Sequence, residues 1–92
     1  MEANYAKDVI FLTGTGGFKG WEDVKASASE LEKFVGPDAV FEYRHTLIEE
    51  DYAFLEWTAN LSKGEVCDGA DSFVIKGGKI VFQSIHYTVS RN

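Results

Sequence analysis

Cysteine, proline and methionine are nearly missing from these 92 residues, with one of each: Cys67, Pro37 and Met1. A lone cysteine excludes an internal disulfide and fits a reducing, cytoplasmic setting. Basic residues are also few, and nine Lys and Arg against fifteen Asp and Glu leave a net charge of −6. The cations are scattered, which disfavours a phosphate-backbone partner and sets nucleic acid aside. Two histidines, His45 and His86, and one cysteine do not form a metal-ligand set by spacing, and no cofactor is indicated. No apolar run approaches the length that spans a bilayer. The N-terminus lacks the basic segment and apolar stretch of a signal peptide. The glycine-rich Gly14–Gly20 (GTGGFKG) lacks the lysine followed by serine or threonine of a phosphate loop, and its spacing is wrong for a dinucleotide fingerprint. It reads as a plain strand-to-helix connection.

What is plentiful is apolar and aromatic content, 45% and 14% of the residues, which is enough for a globular core in one domain over residues 1–92. The last quarter organises the chain. Two strand-like runs, Ala70–Ile75 and Lys79–Val89, flank Gly77–Gly78, and glycine reaches the positive φ that tight hairpin turns require. Upstream, Asp8–Thr13 (DVIFLT) reads as a buried strand. Trp21–Val35 is the one convincing helix: Trp21, Val24, Ala28, Leu31 and Val35 form an apolar stripe, and Gly36-Pro37 stops it. Asp38–Glu49 is a long strand, Glu50-Asp51 a tight turn, and Tyr52–Leu61 a strand of period two. A turn over Ser62–Glu65, centred on Gly64, leads to Val66–Ile75. The expected order is β-α-β-β-β-β, an α+β fold with one amphipathic helix packed on a curved antiparallel sheet.

Three stretches carry a family likeness: YAKDVIFLTGTGGFKGWEDV, AFLEWTA and GADSFVIKGGKIVFQSIHYTV, in that order and spanning nearly the whole chain. The sequence resembles the nuclear transport factor 2-like superfamily, and within it the SnoaL-like and ketosteroid-isomerase-like branch. The resemblance implies a truncated cone, in which a curved sheet wraps a helix and leaves an apolar pocket with a few polar groups at its base, often in a homodimer. Family members usually carry a longer N-terminal helical arm, and this chain begins where that arm would end. An uncovered apolar sheet face is an aggregation liability, so a homodimer or higher homo-oligomer is expected.

Asp71 is the sharpest candidate. The isomerase branch places a protonated acid at the matching position, and burial holds the proton on an Asp. The isomerase's general base matches Thr13, which cannot abstract a proton from carbon, and its pocket tyrosine belongs to the arm. On the final strand, where polyketide cyclases of this superfamily place an acid/base residue, stand His86 and Tyr87. Histidine is suited to proton transfer near neutral pH. Adjacent strand residues face opposite ways. Either His86 is inside with Ser84 and Thr88, or Tyr87 is inside with Gln83 and Ile85. Glu56, beside Trp57, is a cavity carboxylate or the cross-strand ion partner of Arg44. Asp71 and His86 are thus the catalytic candidates, and Glu56, Trp57, Thr58, Asp71, Gln83, His86 and Tyr87 the candidate pocket. Cys67 reads as a small apolar filler. Two functions remain open: an oligomeric module that binds a small apolar ligand or serves assembly, and an acid/base isomerase, cyclase or dehydratase acting on a small cyclic substrate.

Overall fold

A computed structural model describes residues 4–14, 16–36 and 38–91, with no side-chain description at 34 and 35. Residues 1–3 lie outside that range. So do Pro37, part of the expected helix stop, and the Val35 side chain of the apolar stripe. The elements run β1 (Tyr5–Thr13), β2 (Gly16–Lys19), α1 (Gly20–Val35), β3 (Val40–Glu49), β4 (Tyr52–Leu61), β5 (Gly64–Lys76), β6 (Lys79–His86) and β7 (Val89–Arg91). One sheet holds all the strands in the order β2-β1-β6-β5-β4-β3, with β7 added beside β5. Strands β3 to β6 are antiparallel neighbours, as short turns require. Only β1 joins in parallel, on β6.

The turns show why the chain reverses where it does. Gly77 and Gly78 have φ of +59° and +76°, and Lys76 pairs with Lys79 across them. Positive φ at both central residues suits the twist of the flanking strands. The β3–β4 turn uses Glu50 at φ +54°, which a side chain tolerates poorly. Three expectations need correction. The Gly14–Gly20 loop contains β2, which folds back on β1 through Leu12–Gly17 and Phe11–Phe18 pairing. Lys79–Val89 is not one strand, because the chain leaves β6 after His86 and resumes as β7 against Val66. Gly64 does not centre a turn. It is buried at the start of β5, where a Cβ would collide with the carbonyl oxygen of Ser90.

Helix α1 starts with Glu22 and Asp23 in its first turn, and the Asp23 carboxylate accepts the Lys19 N–H at 3.1 Å. It ends at Gly36, φ +87°, whose N–H reaches Glu32 O at 2.9 Å. The Trp21 indole N–H donates to Tyr5 O at 2.9 Å and ties the helix to β1. Among the described side chains of the apolar stripe only Val24 is buried, against Val9 and Phe11. Leu31 is half-buried and Ala28 exposed, so the stripe overhangs the sheet instead of sealing on it.

Register sorts the sheet into two faces. On the helix side, Phe18, Phe11, Gln83, Phe73, Ala53 and Ile48 form one row across β2, β1, β6, β5, β4 and β3. Ile85, Asp71, Leu55 and Thr46 form the next. Two small cores sit on this face: Val9, Phe11 and Val24 at one end, and Trp57, Ala59 and Val66 at the other, with Ile85 touching both. On the opposite face one row reads Lys19, Ile10, Phe82, Val74, Tyr52, Glu49 and the next Gly17, Leu12, Ser84, Ser72, Phe54, Leu47. None of the described residues covers that second face.

Candidate functional site

Between α1 and the sheet lies a cavity of about 790 Å³. Its walls are apolar: Phe11, Phe18, Val24, Leu31, Ile85 and Val89. Its base is polar. The Tyr5 hydroxyl donates to Gln83 Oε1 at 2.6 Å, and Gln83 Nε2 donates to Asp71 Oδ2 at 3.0 Å. The Trp57 indole N–H donates to Asp71 Oδ1 at 2.9 Å. The relay Tyr5–Gln83–Asp71–Trp57 therefore crosses β1, β6, β5 and β4 and connects the two small cores. Among the described residues no buried side-chain polar atom lacks a partner.

Each member is held by its neighbours. Asp71 and Gln83, both under 10% exposed, point inward because β5 and β6 present alternate residues to the helix side. Trp57 lies opposite Gly69, and a Cβ on Gly69 would overlap the six-membered part of the indole. Phe41 meets that indole edge-on at 5.5 Å between centroids, and Tyr87 lies tilted at 6.0 Å. Burial pushes the Asp71 carboxyl above the usual carboxylate range, against the two N–H donors that favour its charge. Burial and the nearby Asp71 charge raise Tyr5, and burial raises Tyr87.

A family model described as a SnoaL-like domain matches residues 1–83. The chain belongs to the SnoaL-like family. No curated protein matches the chain significantly. Solved structures share the fold at low identity. A SnoaL-like protein of unknown function from Burkholderia thailandensis is 20% identical with a TM-score of 0.73, over 92% of this chain and 75% of that one. An NTF2-like protein of unknown function from Cytophaga hutchinsonii is 14% identical with a TM-score of 0.79, over 94% and 80%. A de novo designed protein with a curved β-sheet is 20% identical with a TM-score of 0.79, over 91% of this chain and 66% of the design. The chain thus spans about two thirds of the designed protein's length. At these identities the likeness shows the SnoaL-like fold alone.

Within this SnoaL-like fold, the candidate residues separate by face. Asp71, Gln83 and Tyr87 line the cavity. Trp57 stands behind Asp71 as its donor. The open choice on the last strand falls to Tyr87 with Gln83 and Ile85, since Tyr87 packs on the Trp57 core. His86 touches the cavity mouth, but its side chain is 69% exposed and its Nε2 stands 3.4 Å from Asp68 Oδ2. Asp68 also accepts the Thr88 N–H at 2.8 Å, and that bond is the main reason its carboxyl is held below the usual range. His86 pairs with Ala70 and Asp71 with Ile85, so these two candidates leave neighbouring strands on opposite faces and do not converge.

Glu56 and Thr58 were expected in the pocket and lie on the far face of β4, because they alternate with buried Trp57 and Ala59. Glu56 does not pair with Arg44 either. A register shift between Tyr43 and His45 brings His45 Nδ1 to 3.6 Å from Glu56 Oε1, while Arg44 reaches Glu42 at 3.4 Å and Thr58 Oγ1 at 3.4 Å. Thr13 does line the cavity, and its hydroxyl is bonded into the β1–β2 turn at Gly16. Cys67 is exposed and fills nothing, and the Glu65 charge raises its thiol.

Tyr5 is the site residue that sequence reasoning missed. It sits three residues before the expected strand, and the signal that could have found it was an aromatic hydroxyl one strand away from a buried Gln. Among the described residues no cluster of His, Cys, Asp or Glu could hold a metal ion.

Proposed function

We propose that this SnoaL-like protein binds a small apolar ligand in the cavity between α1 and the sheet, as a self-associated species in the cytoplasm. One observation carries the ligand reading: an apolar-walled space of about 790 Å³ whose base holds a closed, hydrogen-bonded set of buried polar groups. Concave apolar pockets with a few placed polar groups are the usual form of small-molecule sites. A panel of cyclic compounds, neutral and amine-bearing, read by thermal shift, tests it. Saturating ligand should raise the melting temperature, since binding to the native state alone at a hundred times Kd stabilises by about 2.7 kcal/mol. Ala28→Trp, which fills the cavity from the helix, should abolish the shift. No shift from any member of the panel refutes the reading.

Self-association rests on surface. The protein exposes 6203 Å², whereas a folded monomer of its mass is expected to expose about 5,300 Å². The excess is close to the roughly 800 Å² that each partner loses in an ordinary interface. The face without the helix carries Ile10, Leu12, Leu47, Tyr52, Phe54 and Phe82 in adjoining rows, and Leu47 and Tyr52 are 55% and 60% exposed. A second copy, placed sheet to sheet, would bury them. Light scattering should give at least a dimer, and Leu47→Lys should dissociate it. A monodisperse wild-type monomer at micromolar concentration refutes the arrangement.

The acid/base reading has one observation in its favour, the His86–Asp68 pair at the cavity mouth. A histidine oriented by a carboxylate is a competent proton acceptor. A His86→Gln variant that still binds ligand but loses turnover would favour it over simple binding.

A further inference from the structure

We propose that the cavity selects an apolar ligand bearing a protonated amine, because the relay at its base commits the Trp57 and Tyr5 protons and one Gln83 proton internally, around a buried carboxylate whose remaining lone pairs are open to the cavity. The inference deepens the ligand-binding reading and rests on it. Tryptophan's indole nitrogen is a donor only, so Trp57 must give its proton to Asp71 Oδ1. The Gln83 amide has one consistent orientation. With Nε2 on Asp71 Oδ2 and Oε1 on Tyr5, donor meets acceptor at both ends. Reversed, its carbonyl oxygen would face a carboxylate. That orientation requires the Tyr5 hydroxyl to spend its proton on Gln83 Oε1 at 2.6 Å. What remains is one Gln83 N–H against the acceptor capacity of Asp71 and of the Tyr5 oxygen, and all three residues line the cavity.

An ammonium group matches this base. It carries three donors and no acceptor, and it would compensate the one buried carboxylate of an otherwise apolar space. Aromatic rings of Phe11, Phe18 and Tyr87 line the same cavity and suit a cation beside an apolar skeleton. Glu30 and Arg91 lie at the exposed edge, one of each sign, and do not set a preference for the interior. A ketone or a carboxylate would bring an acceptor up to the buried Asp71 carboxylate, with a single Gln83 N–H to receive it.

The relay also predicts its own inversion. In Asp71→Asn the Asn carbonyl oxygen still accepts from Trp57, but its amide now donates. Gln83 must turn over to receive that proton on Oε1, and its Nε2 then donates to the Tyr5 oxygen. The Tyr5 hydroxyl proton is released and turns into the cavity. One substitution thus removes the carboxylate and adds the Tyr5 proton to the donors of the base, while every internal hydrogen bond is re-formed.

The test uses three probes of one skeleton, adamantan-2-amine, adamantan-2-ol and adamantan-2-one, titrated by calorimetry at neutral pH into the wild-type protein. The expected result is amine binding at least about tenfold tighter than ketone, a difference that one well-matched polar contact supplies. In Asp71→Asn the order should reverse. Equal binding of amine and ketone by the wild type, or a preference for ketone, overturns the inference and leaves ligand binding intact. No binding of any of the three overturns both. The wild-type comparison decides the matter even if Asp71→Asn does not fold, and a folded Asp71→Asn that keeps the amine preference overturns the relay.

Discussion

Gly69 is the residue at which one added methyl group should cost most, and the reason lies across the sheet. A Cβ on Gly69 would collide with Cδ2, Cε2 and Cε3 of Trp57, the fused edge of the indole. The ring has nowhere easy to go. Phe41 and Tyr87 are packed on it, and its N–H is committed to the buried Asp71 carboxylate. Gly69→Ala should therefore impose overpacking together with loss of that bond. Overpacking costs about 1–3 kcal/mol, and a hydrogen bond to a charged acceptor is worth about 1.5–3 kcal/mol. The combined loss is about 2.5–6 kcal/mol. At about 4 °C or more per kcal/mol for a domain of this size, the melting temperature should fall by upward of about 10 °C. Urea unfolding followed by near-ultraviolet circular dichroism reads both stability and the indole environment. A double-mutant cycle isolates the cause. In a Trp57→Phe background no Asp71 bond remains to be broken, so the Gly69→Ala penalty should shrink by about 1.5–3 kcal/mol. A Gly69→Ala protein within about 0.5 kcal/mol of wild type, or a strictly additive cycle, refutes the reasoning.

Three further outcomes follow from the same geometry. Burial raises the folded-state pKa of Asp71 above its unfolded value, so the native chain holds more protons between the two, and Asp71 lowers stability as pH rises through that window. Asp71→Asn removes the effect. Its stability relative to wild type should climb from about pH 4 upward and then level off, and a flat or falling difference in urea titrations contradicts the assignment. Glu50, at φ +54° in the β3–β4 turn, should gain from Glu50→Asn by about 0.5–1 kcal/mol, because asparagine tolerates the left-handed region better. An unchanged or lower melting temperature would count against strain there. Cys67 is exposed and its thiol is raised chiefly by Glu65, so iodoacetamide should modify it in the folded protein slowly, and Glu65→Gln should speed the reaction. Equal rates would exclude the charge as the cause.

The helix and the four consecutive antiparallel strands were legible in the sequence because each rests on local pattern. Trp21, Val24 and Leu31 recur at helical steps, and Gly77-Gly78 supplies the two positive φ values that its turn demands. What local pattern does not carry is which strands meet at a distance. Nothing between Gly14 and Gly20 announces that Phe18 will pair with Phe11, since β2 is stabilised by β1 and by the helix behind it. Gly64 looked like a turn residue because glycine serves both turns and close approaches. Only the arrival of β7, from the far end of the chain, decides that it is the second.

The site divides along the same line. Period two correctly separated Trp57 from Glu56 and Thr58 but could not say which set faced the cavity, and the choice between His86 and Tyr87 was undetermined for the same reason. The structure resolves both through one contact. Tyr87 lies on Trp57, so whichever face buries the tryptophan also takes the tyrosine, and His86 is turned toward Asp68 instead. Asp71 was recognisable as a buried acid, but its partners come from β1, β4 and β6, and no spacing connects Tyr5 to Gln83, 78 residues later. Their consequence is chemical. A protonated acid would make the cavity a donor to a carbonyl, as the isomerase resemblance implied. Two N–H groups converge on Asp71 and the Tyr5 proton is committed to Gln83, which is the arrangement from which we propose an acceptor base instead. The identity of the buried acid was available from the sequence, but the direction of its hydrogen bonds depends on three other strands.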